Sequence, residues 1–463
     1  MTSQGNVMET AHAPVLAPGA LPLLGHALAL SAPLRFLRSL PAHGDLVEVR
    51  VGPLRAVVVC DPALTHQVLL NDRVFDKGGL VLKRGREIAG NGLGTCAHRD
   101  HRRQRRLVQP AFHRHRMPHY ASVMVRQASE VMNAWRPGQI IDVLDEMGTV
   151  SIRSIAAAVS AALPPGRADS LIADYFSLEQ VLYRRMLTPP PFDRLPTPGK
   201  RRYDRARARL QQTVQEIIAV HREGKPDRGD LMSMLLLARV APSDTDDGRR
   251  LSDREVSDQI VSFFLAGAKT VAETLSWSAH LVATHPEVRQ RLHAEVDTVM
   301  SASVPLYGDL HRLKTTENIV KETLRLYPAA ALTRTTTTAT ELGRYRLRAG
   351  TTVVYSPYLL HRHPGLFPDP EHFRPERWLS IPAADARAVY LPFAAGPRKC
   401  IGDTFGFMEC TLVLAMLAAR WQLEPVGDSD SSPVFGATLR PRRLRMRLIA
   451  RTGTEDEPPA SPA

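Results

Sequence analysis

The chain has 463 residues, a formal net charge of +13 and only four cysteines, at 60, 96, 400 and 410. So few cysteines exclude a disulfide framework, and no run of about 18 uninterrupted apolar residues is present to span a membrane. The basic surplus points to an anionic partner. The first residues also lack a basic stretch followed by an apolar one, so a cytoplasmic protein is expected.

Residues 1–16 and 452–463 are small, polar or proline-rich and are expected to be disordered. Residues 17–451 are expected to form one domain, because no linker divides them. After an entry at Leu21–His26, the alternation in 44–52 and 56–60 predicts a strand pair. Between His98 and Phe112 the chain is dense in arginine and histidine, yet it ends in an apolar Leu107-Val108 and Ala111-Phe112. By charge alone this could contact nucleic acid or an anionic membrane. His101 and Arg105 stand one helical turn apart on one face. Arg102, Arg103 and Arg106 point elsewhere and read as a solvated face for partner docking. Around Thr188–Pro198 prolines accumulate, which predicts a hinge or lid between two helices.

Ser252 and Glu255 form a capping box, and the apolar pattern that follows runs to Thr284, where His285-Pro286 ends it. A helix of about 32 residues spans about 48 Å, enough to cross a domain. In its middle lie Ala266, Gly267, Ala268, Lys269 and Thr270. A mid-helix glycine costs about 1 kcal/mol relative to alanine, and close approach of a flat cofactor would justify it. Thr270 is placed to bond back to the Ala266 carbonyl and loosen the ladder. Lys269 is spaced to pair with Glu273 at i+4 on an exposed face. Glu322 and Arg325 share a helix face, which by itself reads as an ordinary ion pair. A second small strand cluster covers about 339–356, and Arg374-Pro375-Glu376-Arg377-Trp378 follows. Last comes the segment with Phe393, Gly396, Arg398, Cys400, Gly402 and Gly406. A cysteine among Arg398 and Lys399 at a helix start is biased toward thiolate, and a thiolate can be the axial ligand of haem iron. Glycines at 396 and 402 would let the backbone approach a flat macrocycle.

The pattern F-x-x-G-x-R-x-C-x-G closing on Cys400 resembles the haem-binding loop of the cytochrome P-450 family, and the order of the other motifs extends that resemblance along nearly the whole chain. The resemblance implies a mainly α fold with a small β region, and haem b (iron protoporphyrin IX) held by Cys400 as the metal ligand. Phe393 would cover the sulfur and Gly402 would shape the loop. His101, Arg105, Arg334 and Arg398 would hold the propionates. Glu322, Arg325 and Arg377 would brace the cysteine loop as structural support. Ala266, Gly267, Lys269 and Thr270 would form the oxygen groove, with the Thr270 hydroxyl feeding protons. The family usually has an acid where this chain has Lys269, and commonly a hydroxyl residue where it has Val271. These departures bear on oxygen activation, not on haem binding.

The resemblance further implies a monooxygenase using dioxygen. Electrons would come from a small acidic ferredoxin served by an NAD(P)H-dependent reductase, with no nucleic acid as partner. Phe263, Phe264, Ala266, Ala329–Thr333 and Val434–Thr438 are read as an apolar pocket wall for a hydrophobic small molecule. The segments P-L-L-G-H, H-R-R-Q-R-R-L-V-Q-P-A-F-H-R and R-L-P-T-P-G resemble those of actinobacterial sesquiterpene oxidases, such as the pentalenene oxygenases. A terpene is therefore the first expected substrate, ahead of a steroid, polyketide or fatty acyl compound. The alternative of another class is a haem-thiolate protein that binds ligands without activating oxygen.

Overall fold

The computed structural model describes residues 12–160, 174, 178, 197–223, 229–238, 250–300, 304–436 and 438–451. The expected lid at Thr188–Pro198 lies outside them apart from its last two residues, and 452–463 lie outside them too. The helices are α1 Pro33–Ser39, α2 Pro62–Leu70, α3 Gly79–Ala89, α4 His98–Val108, α5 Met117–Asn133 and α6 Val143–Val159, then α7 Pro198–Glu223, α8 Leu231–Leu237 and α9 Asp253–Thr284. After these come α10 Pro286–Val299, α11 Lys314–Leu326, α12 Pro357–Leu360, α13 Arg377–Ser380, α14 Ala383–Val389 and α15 Asp403–Arg420. The fold is mainly α with a small β region, as expected.

Six short strands form one sheet in the order β1 (Val15–Leu16), β2 (Leu46–Val51), β3 (Leu54–Val59), β9 (Thr352–Tyr355), β6 (Leu332–Thr336) and β4 (Phe75–Asp76). The strand pair anticipated at 44–60 is β2 and β3, antiparallel from Leu46↔Val59 to Val51↔Leu54. Val15 and Leu16, inside the segment read as disordered, pair parallel with Val47 and Glu48. A second sheet joins β10 (Trp421–Pro425), β13 (Arg445–Ala450) and β5 (Ile140–Asp142). Two hairpins, β7 (Thr340–Leu342) with β8 (Tyr345–Leu347) and β11 (Asp430–Val434) with β12 (Arg440–Arg443), complete the β region.

α9 organises the helical body. The Ser252 side chain accepts from the Glu255 amide while the Glu255 carboxylate accepts from the Ser252 amide, which satisfies two orphan donors at once. The helix runs 32 residues and stops at His285, where Pro286 opens α10. One core lies on the side of α9 that faces α4 to α8. It includes Tyr120, Ile155, Tyr203 and Phe264. A second core packs α5, α10, α11 and α15 with β10 and β13, through residues such as Leu275, Ile319 and Val413. Trp277 of α9 stacks on Tyr327 at 3.6 Å and donates its indole N–H to the Leu439 carbonyl at 2.8 Å. These contacts fix α9 against the chain that follows α11 and against the C-terminal hairpin.

Candidate functional site

The cysteine loop links the segment after α14 to the start of α15. Its backbone closes through a hydrogen bond from the Cys400 amide to the Phe393 carbonyl at 2.9 Å. Ala394 and Gly396 both take positive φ, at 58° and 70°. A Cβ on Gly396 would lie 2.4 Å from the Leu69 carbonyl oxygen at the end of α2. Glycine is therefore required at 396 by packing against α2 as well as by its left-handed backbone. A Cβ on Gly402 would come no nearer than 4.0 Å to any of its neighbours. The sequence assigned both glycines to a macrocycle, but at 396 the protein's own backbone makes the demand.

Cys400 is exposed, whereas Cys96 and Cys410 are buried and Cys60 is half-buried. Burial drives the Cys60 thiol up to about 12 and Cys410 well above its ordinary range. Cys400 is also raised, first by desolvation and then by Asp403, while the Gly402 amide, Lys77 and Arg105 act the other way. The expected thiolate bias is not present in the protein alone: desolvation outweighs the nearby cations, and Lys399 is paired with Asp403 at 2.5 Å. The Gly402 amide, Lys77, Arg105 and Asp403 all act on this thiol. A metal bound there would itself deprotonate the thiol. Among the described residues no group of three metal-ligating side chains exists, so Cys400 would act as a single protein ligand.

Positive charge converges around this loop. Lys77, which the sequence reading did not single out, follows β4 and donates to the Leu93 and Gly94 carbonyls at 3.3 and 2.6 Å. Burial, Arg334 and Arg398 push its ammonium down to about 7. His101 on α4 is held at about 3 by burial and by Arg398, Lys77 and Arg105, with Asp72 opposing. Arg105 donates to the Lys399 carbonyl at 2.6 Å. Buried Arg334, on β6, gives one N–H to its neighbour's carbonyl and lies over the Tyr355 ring at 5.2 Å. Arg398 acts against the charged form of Lys77, His101 and Arg105 alike, while Asp72 opposes it at His101 and Asp403 at Arg105. A site of this make-up favours a ligand that brings two or more negative charges.

Arg398 makes contacts within the protein that the sequence did not announce. Three of its N–H groups go to Asp72 at 3.1 Å, the Cys96 carbonyl at 3.0 Å and Asp76 at 2.7 Å. Asp72 also meets the His98 imidazole at 3.0 Å, and Asp76 accepts from the His98 amide at 2.9 Å. Arg398 thus ties the cysteine loop to the start of α4 through two aspartates that no motif announced.

On α9, Ala266 and Thr270 are exposed in a helix that is otherwise largely buried. The Thr270 hydroxyl donates to the Ala266 carbonyl at 2.8 Å, the back-bond expected from the sequence. At Gly267 a Cβ would sit 3.5 Å from Ile155 of α6, an ordinary contact. Lys269 does pair with Glu273, at 3.0 Å, but on an inward face, with Glu273 only 3 % exposed. The other Glu273 oxygen accepts from the Thr438 hydroxyl. Of the expected pocket wall, Phe263 meets Phe112 edge-on at 5.3 Å, and Phe264 and Ala330 are core residues. Ala329, Ala331, Leu332 and Thr333 are half-buried.

Glu322, Arg325 and Arg377 form one buried cluster, not a surface pair. Arg325 is bidentate to Glu322 at 3.0 and 2.8 Å, and Arg377 reaches Glu322 at 2.8 Å. The Trp378 indole adds a bond at 2.9 Å. Arg325 also donates to the His361 carbonyl at 3.0 Å, and the His361 ring accepts from the Leu391 amide at 2.8 Å. The cluster is therefore two hydrogen bonds from the start of the cysteine loop.

Beside that loop a groove of about 460 Å³ is lined by Arg73, His98, Arg102, Arg105 and Arg106 among others. Arg103 is not part of it: it pairs with Glu255 of the α9 capping box.

The family model described as Cytochrome P450 matches residues 16–446. Cyclooctat-9-en-7-ol 5-monooxygenase of Streptomyces melanosporofaciens is 45 % identical over 89 % of each chain. Pentalenene oxygenase of Streptomyces avermitilis is 43 % identical over 94 % of this chain and 97 % of that one. Among solved structures, the haem domain of cytochrome P450DA superposes with a TM-score of 0.84 at 25 % identity, over 95 % of this chain and 98 % of that one.

Proposed function

The chain belongs to the cytochrome P450 family and is a haem-thiolate monooxygenase; we propose that it oxidises a terpene, in first place a sesquiterpene hydrocarbon. The observation that carries this substrate class is the identity of more than 40 %, over about nine-tenths of the chain, to two enzymes named for terpene oxidation. The half-buried, apolar Ala329, Ala331 and Leu332 agree with it, since a charged substrate would lose its hydration there without a partner.

The residues around Cys400 suit haem. An exposed cysteine stands beside a surplus of cationic groups, and haem brings an iron that takes a thiolate together with two carboxylates. When bound, it supplies dioxygen activation and the attack on an unactivated C–H bond. In this proposal Cys400 is the ligand, Lys77, Arg105 and Arg334 neutralise the carboxylates, and the neutral His101 imidazole donates a hydrogen bond to one of them. Arg398 positions the loop through Asp72 and Asp76, and Phe393 closes it. Thr270 presents a hydroxyl to the open face of α9, where it can orient a water and pass a proton. Ala266 leaves room beside it. Lys269 does not face that opening as a free acid or base, because its charge is committed to Glu273.

The electron donor in this reading is an acidic ferredoxin, reduced by an NAD(P)H-dependent enzyme, that docks on the groove lined by Arg73, Arg102 and Arg106. The compartment is the cytoplasm. A spectral binding screen tests the substrate class. Sesquiterpenes should shift the haem absorbance on binding, and products should form once ferredoxin and reductase are added. Tight binding of a fatty acid or steroid with no terpene response would replace the proposed class. Binding without product in a working electron-transfer system would favour the ligand-binding alternative.

A further inference from the structure

Half of the sixteen exposed large apolar side chains among the described residues lie in the short stretch from Val15 to Leu54. The centre of the group is the turn Leu21–Gly25, closed by reciprocal hydrogen bonds between Leu21 and Gly25 at 2.9 and 2.8 Å. Leu23, at its tip, is 95 % exposed and has φ of +62°. A leucine in the left-handed region is strained, and here the strained backbone holds the side chain out in solvent.

The turn is fastened to the tip of the β2–β3 hairpin. Gly25 bridges to Val51, the His26 amide donates to the Arg50 carbonyl at 2.6 Å, and the Gly52 amide donates to the Leu24 carbonyl at 3.0 Å. Val51 thus stands between the turn, through Gly25, and its hairpin partner Leu54, and in sequence the turn is followed by Leu28 and Leu30. Apart from Leu23, these leucines are between 43 % and 65 % exposed. The charge around them is positive. Arg35 and Arg55 are exposed and stand in no ion pair among the described residues, whereas the acids of the same stretch are neutralised, Asp45 by Arg344 and Glu48 by Arg50.

We propose that this leucine-tipped, arginine-flanked corner is a docking surface for an anionic lipid bilayer, on which the enzyme sits peripherally. A protruding finger needs a complementary cavity in a protein partner, whereas a bilayer accepts it anywhere on its surface. The polar rim is basic, which suits anionic headgroups. No helix among the described residues is long and apolar enough to cross a membrane, so attachment would be at the interface alone. The terpene reading adds a reason, because a hydrocarbon partitions into lipid. The surface itself does not depend on that reading.

The test is co-sedimentation of the haem-loaded protein with vesicles. Phosphatidylcholine vesicles containing phosphatidylglycerol should pellet it, phosphatidylcholine alone should pellet it poorly, and salt should weaken the binding. Leu23→Asp and Leu54→Asp should each reduce binding roughly tenfold, since a carboxylate is repelled by the surface and resists insertion. Both side chains are exposed, and an unchanged haem spectrum would show that the variants fold. Absence of binding to anionic vesicles, or equal binding by the variants, overturns the proposal. A dimer in solution that Leu23→Asp dissolves would also overturn it, by assigning the patch to a second copy. Failure to oxidise terpenes would leave the vesicle result unchanged, so the two proposals fail separately.

Discussion

At Lys269 an ammonium 3.0 Å from a nearly fully buried carboxylate replaces the exposed i, i+4 pair that spacing alone implies. The difference is energetic. Exposed pairs contribute under about 1 kcal/mol, whereas breaking a fully buried one costs about 3–5 kcal/mol. Lys269 is about a fifth exposed, so Lys269→Glu, which sets two carboxylates side by side, should cost about 2–3 kcal/mol. Denaturant midpoints measure this, and a loss below about 0.5 kcal/mol would mean that the pair is screened like a surface one. Thr270→Ala should keep the haem but divert reducing equivalents to peroxide, lowering product per NAD(P)H by roughly tenfold or more if the hydroxyl performs an acid–base step. Full coupling in that variant would remove Thr270 from the proton path. For the proposed ligand, Cys400→Ala should abolish the long-wavelength band of the reduced carbonyl adduct. Cys410→Ala, which alters a buried thiol, should retain it. A band that persists without Cys400 would refute the ligand assignment.

Between elements, His361 connects α11 to the cysteine loop. Burial, Arg325 and Arg362 hold its imidazole at about 3 instead of the ordinary 6.5, which keeps the ring neutral and able to accept from the Leu391 amide. In the unfolded chain the same ring takes a proton near 6.5. Between these two values the unfolded state binds more protons, so stability falls as pH falls, by up to roughly 1.4 kcal/mol per pH unit. From about pH 6.5 to about pH 5 the wild type should therefore lose roughly 2 kcal/mol more than His361→Asn, which has no such group to protonate. Denaturant midpoints at the two pH values give the difference, and parallel losses would exclude His361 as the source. The Glu322 cluster works at this same scale. Glu322 receives two arginines, an indole and the Arg374 amide, so one carboxylate ties α11 to α13 and to the segment before it.

Across the whole molecule, charge organises the encounter with the proposed electron donor. The groove beside the cysteine loop is basic, and steered association weakens with ionic strength. Reduction by ferredoxin should slow as salt rises, and Arg102→Glu or Arg73→Glu should slow it further at low salt. Arg103→Glu should act instead by loosening the start of α9, because its partner is Glu255. A rate that ignores salt would move the docking face elsewhere. In the chain itself, local patterns fixed the helical body, the β2–β3 pair and both ends of α9, since capping boxes, proline stops and apolar period act between residues close in sequence. The cysteine loop and the Glu322–Arg325–Arg377 set were legible because each is a fixed combination of residue types. Tertiary structure alone decided the rest. It turned Lys269 inward, gave Gly396 its reason in the Leu69 carbonyl, committed Arg398 to Asp72 and Asp76, and brought Lys77 into the charged cluster. Each of these depends on a partner tens to hundreds of residues away in the chain or on the burial of a charge, and neither spacing nor composition carries that information.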